Sequence, residues 1–448
     1  MHVVEQFAAF AVTQRGVALT PDLAHHAKRA ILDWYAALYP GAVLPPATLL
    51  ERALADELGH GRARLALGGT ATVRAAALIN GTASHTAEVD DIYRDAIYHP
   101  GAPTIAAALA LAQARQLSGE ALLRAVIAGY EISTRIGAAM GRAHYRHWHN
   151  TGTIGCFGAA AAAAELLQLD QRAFADALAT CATFAAGLQQ AFRMDSMSKP
   201  LHAGRAAEAG VLAALAAAEG VTGSLDILEG EAGLGRAMSD GPDWQRAVAT
   251  LGTDFHITEI TFKNHACCGH TFAPIDGALA LQARLGVTAG DIESVRVSTY
   301  KAALDVAGYE SPTTPAEARF SIKYTVAHAL LYGSVRLGAF EPERMNDGAV
   351  RALMKRIELA LDPQLDAAFP GQRAARIEIR AHDGRTEAHL QPTRKGDPDL
   401  PLTDADLEQK FFELATPVIG QDSAAQLLRQ IWSLERLDSL ATLQAVRA

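Results

Sequence analysis

The chain has 448 residues, of which 50% are apolar, 20% charged and 6% aromatic. That balance excludes a disordered chain, a collagen-like repeat and a small disulfide-stapled module, and the length suits two or three domains. Forty Lys and Arg against 49 Asp and Glu leave a net charge of −9, so neither nucleic acid nor an anionic membrane is an expected partner, and an anionic substrate needs a local cationic pocket.

The first half reads as helices. Thr20-Pro21-Asp22 is an N-cap with proline at the first helical position, and the apolar face from Leu23 to Leu38 predicts a helix ending at Pro40-Gly41. Further helices are expected from about Ala47 to Leu58, after Ser118, over Gln171–Leu188 behind the cap Asp170, and from Gly204 to Glu219. Their many alanines favour helix and let helices approach closely. From about residue 253 the character changes. His256–Phe262 and Ile292–Tyr300 read as strands, and Arg376–Arg380 with Arg385–Leu390 flank Asp383-Gly384, a type I′ hairpin signal. Helices at about 271–286, 316–334 and 346–361 are interleaved with them. After the polar linker Lys395–Pro398, Thr403 with Asp406 forms a capping box that opens a helix through Leu414, and a last helix runs from about Ser423 to the end. The expected fold class is mainly α. An all-α domain is built from both chain ends (1–262 and 394–448), and residues 263–393 form an inserted α+β lid domain.

Cys156 and Cys181 read as small core residues, and the adjacent Cys267 and Cys268 suit neither a disulfide nor a metal knuckle. The apolar stretches 7–12 and 155–164 are too short for a signal peptide or a membrane span of roughly 20 residues, so a cytoplasmic location is expected.

Histidines gather where chemistry could form: His85, His99, the run from His144 to His149, His202, His265 and His270. Imidazole titrates near neutral pH, so these are candidates for proton transfer, set against the ordinary reading of surface or core histidines. His144, His147 and His149 with Glu88, Asp90 and Asp91 are conceivable metal ligands, but no compact metal motif supports them, and no metal is expected. Phosphate-loop, dinucleotide and nucleophile-elbow motifs are missing as well. The segment 198–205 sets Lys199, His202 and Arg205 at a helix start. Cations there oppose the helix dipole, so something negative should lie nearby. Lys263 to His270 marks the seam where the α+β block begins.

At these segments the sequence resembles the MmgE/PrpD family. The resemblance rests on Asn80–His85, Glu88–Asp91, His99-Pro100-Gly101, Gly129-Tyr130-Glu131, His149–Gly152, Ser198–Ala207, Cys267–Thr271, Phe320–Tyr324 and Lys395–Pro398, in that order along essentially the whole chain. It implies a homodimer, a site without cofactor or metal, and a small di- or tricarboxylate as substrate. It also implies that His149, Lys199, Glu88 and His99 are catalytic, and that Lys263, His270 and Tyr324 bind substrate. Glu88 stands where the family has aspartate, and Ile92 where its decarboxylases have threonine. These residue types suit removal of a proton next to a carboxylate, which needs a base and cations to hold the developing charge. His149 is the expected base, or Lys199 if burial depresses its pKa, with His99 as partner acid and Glu88 tuning an imidazole. The expected activity is that of a 2-methylcitrate dehydratase-like hydro-lyase. The alternatives are an iminodisuccinate-type epimerase, a carboxylate-binding protein without catalysis and, testable by chelation, a metal-dependent hydrolase.

Overall fold

A computed structural model describes residues 1–192, 194, 196–369, 371–441 and 443. The chain is mainly helical and divides into two compact units, residues 1–262 with 403–448 and residues 263–402.

In the larger unit, α1 (Val3–Gln14) and α2 (Pro21–Ala42) come first, and the Thr20 side chain caps α2 as its sequence predicts. The helix does not stop before Pro40 but carries it inside its last turn. The reason is tertiary. A Cβ on Gly41 would stand 1.8 Å from the carbonyl oxygen of Ala83, so this glycine lets the end of α2 press directly on the next long helix. The helix expected through Leu58 ends at Ala53, and β1 (Leu58–Arg64) folds back on the short β2 (Thr70–Ala71). The larger unit is therefore not purely helical. The helices α3 (Val73–Thr86), α4 (Gly101–Arg115), α5 (Gly119–Tyr145), α6 (Gly155–Leu166), α7 (Gln171–Ala182) and α8 (Ser198–Ala218) complete its first part. Every residue of α6 is buried, which its Gly/Ala composition allows. α8 packs on α3 and α6, and α5 and α4 lie against α6. α8 starts at Ser198, earlier than the alanine run suggested, so Lys199 and His202 lie in its first turns. α7 ends at Ala182, and residues 183–188 are not helical. His256–Phe262 is not a strand. His256–Glu259 is a single 3₁₀ turn, and only Thr261 makes a bridge, to Ile92.

In the smaller unit, α9 (Phe272–Leu285) covers a four-stranded sheet in the order β4-β3-β5-β6, formed by β3 (Ile292–Thr299), β4 (Ile357–Leu361), β5 (Ala375–Ala381) and β6 (Thr386–Gln391). β3 and β4 are parallel and the other pairs antiparallel. The helix expected over 346–361 covers only Gly348–Met354, and the remainder is β4, whose apolar run IELAL suits helix and strand equally. The 316–334 helix is broken at Phe320-Ser321, and Ser321 caps its second half, α10 (Ile322–Tyr332). In the hairpin only Gly384 has positive φ, and its N–H donates to Ala381, so the turn is not the two-residue I′ form. Lys395–Pro398 is an ordered turn, closed by an ion pair between the buried Arg394 and Asp397.

Thr403 caps α11 (Asp404–Ile419), which outruns the predicted end at Leu414, and α12 (Gln421–Trp432) follows. The predicted final helix stops at Trp432: a 3₁₀ turn follows at Leu434–Arg436, residues 437–441 and 443 are not helical, and the rest of that expectation falls on 442 and 444–448, outside the described residues. α11 packs on α2. Among the described residues, no helix is long and apolar enough to cross a membrane.

A Cβ on Gly204 would meet the Leu78 carbonyl oxygen at 2.2 Å, where α8 crosses α3. Gly204→Ala should therefore cost about 1–3 kcal/mol, as overpacked cores do. Urea unfolding checks this, and an unchanged midpoint would show that the crossing tolerates a wider spacing.

Candidate active site

One arm of the site is the segment between α3 and α4. α3 ends just after His85, and Glu88 then takes a left-handed φ of 61°, turning the chain sharply. Beyond it the backbone is pinned on both sides. The Val89 carbonyl accepts from Lys410 Nζ at 2.7 Å, and Ile92 exchanges two 2.8 Å bonds with Thr261. Asp91 anchors the start of α4. Its carboxylate accepts from the Gly101 N–H at 3.0 Å and from the Tyr130 hydroxyl at 2.7 Å. Burial, then the nearby Asp33, pushes the Asp91 pKa well above the usual carboxylate range. Asp91 is thus a structural post.

The second arm is the turn before α6. His149 precedes the short helix Asn150–Thr153, and its N–H donates to Gly187 at 2.9 Å. The Asn150 amide donates to the Ala96 carbonyl, and Thr151 Oγ1 accepts from the His99 N–H at 3.3 Å, so one helical turn holds His149 and the His99 loop together. His144 is a brace, with its ring nitrogens on the Met238 carbonyl at 2.9 Å and on Thr153 Oγ1 at 2.7 Å.

The third arm is the first turn of α8. Lys199 forms an ion pair with Glu88, and its Nζ lies 5.0 Å from the centre of the Phe192 ring. Glu88 is the negative group that a cation at a helix N-terminus calls for. Burial by itself pulls the Lys199 pKa down. The Glu88 carboxylate, with Asp90 behind it, outweighs that and leaves it above the ordinary lysine value. Lys199 is a standing cation, which corrects the expectation that it could serve as a depressed-pKa base.

These arms bring His149, Lys199, Glu88 and His99 into one cluster, and they add three side chains that the sequence reading named as candidates without giving them a catalytic or binding role: His85, Asp90 and His202. Asp90 Oδ2 lies 2.7 Å from His85 Nδ1 and 3.2 Å from His99 Nδ1. The His85 ring stacks on His149, with centroids 5.4 Å apart, and His149 Nδ1 meets His202 Nδ1 at 3.0 Å. Burial, and after it the charges of His85 and Lys199, hold His149 well below its usual pKa. Burial also lowers His202. Burial alone would raise Asp90, but His85 and His99 overcome it and keep the carboxylate far below its usual range. The result is a neutral imidazole beside an ammonium, with fixed carboxylates around them. Sequence signals for the extra members existed in the His85–Asp90 and Lys199–His202 spacings, but nothing in the chain tells which ring turns to which.

Among the described residues, His85, Asp90 and His99 are the group whose donor atoms lie close enough to share a metal ion. Two ligands about 2.0–2.1 Å from a tetrahedral zinc stand roughly 3.3 Å apart. The 2.7 Å contact between His85 and Asp90 suits a direct hydrogen bond better.

The other three predicted residues belong to the smaller unit. Lys263 is buried there. His270 Nδ1 meets the Tyr300 hydroxyl at 2.7 Å, and burial, then Arg373 and Arg394, brings its pKa to about 4. Tyr324 is fully buried, its hydroxyl donates to the Ala339 carbonyl, and burial raises its pKa to about 12.

A helical unit with a largely buried cluster of histidines, a lysine and carboxylates, and a smaller α+β unit, define the class of protein. The chain belongs to the MmgE/PrpD family, because residues 5–247 match the MmgE/PrpD N-terminal domain and residues 265–436 the C-terminal domain. It is 28% identical to a cis-aconitate decarboxylase-like protein of Aspergillus oryzae, over 95% of this chain and 93% of that one. It is also 28% identical to the human cis-aconitate decarboxylase, over 82% of this chain and 78% of the relative. Against the 2-methylcitrate dehydratase of Salmonella typhimurium the identity is 32%, over 23% of each chain.

Two outcomes follow from the charges. A histidine whose folded pKa is depressed contributes stability that is present above the unfolded value of 6.5 and lost as pH falls toward the folded pKa. His149→Gln removes that loss, so the stability gap between wild type and variant should narrow from pH 7 to pH 5 in urea titrations. A constant gap would mean that His149 is not held neutral. Lys410, whose Nζ also lies 2.5 Å from Asp33 Oδ1, is buried. Lys410→Met should cost about 3–5 kcal/mol by removing the cation that faces Asp33. Chemical denaturation measures it, and a loss below 1 kcal/mol would contradict this account.

Proposed function

We propose that this chain is a lyase that acts on a small di- or tricarboxylate through a carbanion formed next to a carboxylate, and that its reaction is a dehydration like that of 2-methylcitrate dehydratase. The observation that carries the reading is His149: a buried imidazole, held neutral, beside the permanently charged Lys199. A general base must be unprotonated at working pH, and the carbanion it creates needs a fixed cation. His149 Nδ1 is occupied by His202, which leaves Nε2 to take the proton. The C–H electron pair becomes the new C=C bond as the β C–O bond breaks. The departing hydroxide takes a proton from His99 and leaves as water. Lys199 holds the substrate carboxylate, which competes with Glu88 for the ammonium. Each of these steps uses a side chain of the protein, so no cofactor or metal is required. Lys263, His270 and Tyr324 are kept as the substrate-binding residues that the resemblance implies, with residues 263–393 as the lid, a homodimer as the assembly and the cytoplasm as the location.

A second reading is decarboxylation, in which the bond from carbon to a carboxylate breaks, CO₂ departs leaving the electron pair on that carbon, and a protonated side chain of the cluster supplies the proton that replaces it. It is favoured by the relatives that align over most of the chain, which are named as cis-aconitate decarboxylases, whereas the dehydratase match is confined to about a quarter of it.

Proton NMR in D₂O, with 2-methylcitrate, citrate, cis-aconitate and iminodisuccinate offered separately, tests both. A new alkene signal from a hydroxy acid supports dehydration, and CO₂ release from cis-aconitate supports the second reading. Deuterium exchange with inversion and no alkene makes the protein an epimerase, and no exchange with binding alone removes the enzyme reading. Lys199→Ala should abolish turnover with an unchanged circular dichroism spectrum; a fully active variant would take Lys199 out of the mechanism. Activity that survives EDTA treatment is expected, and a chelator-sensitive enzyme would oppose the metal-free mechanism.

A further inference from the structure

We propose that Phe192 is a positioning residue of this site: its ring covers the solvent side of His149 and Lys199 and keeps water from both. The functional meaning rests on the lyase reading, whereas the placement of the ring rests on geometry alone.

Phe192 closes a 3₁₀ turn, Gln189–Phe192, and its ring touches both groups at once. It meets the His149 ring at 82°, with centroids 4.8 Å apart, and Lys199 Nζ lies 5.0 Å from its centre. His149 is 1% exposed and Phe192 38%, so the phenyl ring stands between the imidazole and solvent. Among the described residues, the other rings against His149 are those of His85 and His202. Both carry polar nitrogens. Phe192 is the apolar neighbour.

The cover is tied to the imidazole beneath it. The His149 N–H donates to the Gly187 carbonyl at 2.9 Å, the Gln189 N–H donates to the His147 carbonyl at 3.0 Å, and Leu188 bridges to Trp148. Two glycines let these segments lie close. A Cβ on Gly187, whose φ is 128°, would meet His202 Nδ1 at 3.1 Å, and one on Gly152 would meet the Ala186 carbonyl oxygen at 2.4 Å. Phe192 and His149 therefore ride on one hydrogen-bonded piece of backbone, and the ring is a fixed wall.

An apolar wall serves the two groups in different ways. Without water an imidazolium is poorly stabilised, so His149 keeps its basic form. Without water the Lys199 ammonium attracts a carboxylate more strongly, because its charge is less screened. The ring face itself favours a cation. Lys199 already has the Glu88 carboxylate, however, so exclusion of water is the larger service. The titratable and charged groups that face His149 come from three elements: His85 on α3, the His99 loop, and Lys199 and His202 on α8. Burial outranks all of them in holding His149 neutral, and Phe192 supplies part of that burial without adding a charge.

The test uses the full-length protein labelled with ¹³C-phenylalanine and ¹⁵N-histidine. The His149 signals are assigned by their loss in His149→Gln, and those of Phe192 by their loss in Phe192→Leu. Expected for wild type is a nuclear Overhauser contact between the two rings. In Phe192→Ala the His149 imidazole should gain its proton at a higher pH than in wild type. At about pH 5.5, one unit below the ordinary value of 6.5, about a tenth of an exposed imidazole is neutral. The loss of kcat/KM in Phe192→Ala should therefore be up to about tenfold greater at about pH 5.5 than at about pH 8, and KM should rise as water reaches Lys199. Phe192→Leu, which keeps an apolar cover, should recover most of that loss. A wild type without the ring contact overturns the proposal, whether or not the variants fold. So does a Phe192→Ala protein with the wild-type His149 titration. A Phe192→Leu protein as impaired as Phe192→Ala also overturns it, because the effect would then belong to the aromatic face and not to exclusion of water. If wild type turns over none of the four carboxylates, the lyase reading fails, and the ring contact with the His149 titration still decides the role of Phe192.

Discussion

Lys410 carries its ammonium into a fully buried position, where it lies 2.5 Å from Asp33 and 2.7 Å from the carbonyl of Val89. A buried ammonium is tolerated only where such partners replace its water. These two partners tie α11, from the end of the chain, to α2 near its start and to the loop that presents Glu88, Asp90 and Asp91. The loop from Glu88 to Asp91 is thereby set by a residue more than three hundred positions away. The hydrogen bonds of that loop to Thr261 and to the start of α4 build on the same fixed backbone.

Around this anchor the helices touch at unusually short range. α6 is buried along its whole length, and the crossing of α8 over α3 leaves no room for a methyl group at Gly204. Close crossing has a functional consequence. It lays the first turn of α8, with Lys199 and His202, against the end of α3 and its following loop, with His85 and Glu88. Larger residues at the crossing would push the ion pair and the imidazoles apart by more than hydrogen bonds tolerate.

The cluster also sets a lysine ammonium among buried groups of an acidic protein. The net charge of −9 works against an anionic substrate at long range. Within the cluster, burial strengthens charge interactions, and each carboxylate is already committed, Glu88 to Lys199 and Asp90 to two imidazoles. Those commitments keep Lys199 charged while burial keeps His149 neutral. One cluster therefore holds a charged lysine and a neutral imidazole close together, which two exposed groups of the same types would not do as well.

Helix caps and turn residues were legible in the sequence because they act over a few residues: Thr20, Ser118, Asp170 and Thr403 all cap helices as read. The histidines and the lysine of the site were legible as types, and the family motifs by their order. Where local signals were balanced, packing decided. Pro40 stays inside α2 because Gly41 meets Ala83, residues 357–361 become a strand because β3 lies beside them, and residues 256–262 do not because they make a single bridge. The site's working chemistry lies still further from local sequence. The sequence by itself determined which acids, bases and cations are present and where helices begin. Only the tertiary structure decided that Lys199 stays charged, that His149 stays neutral and that Asp90 faces two rings, because those states depend on burial and on neighbours brought together from distant segments.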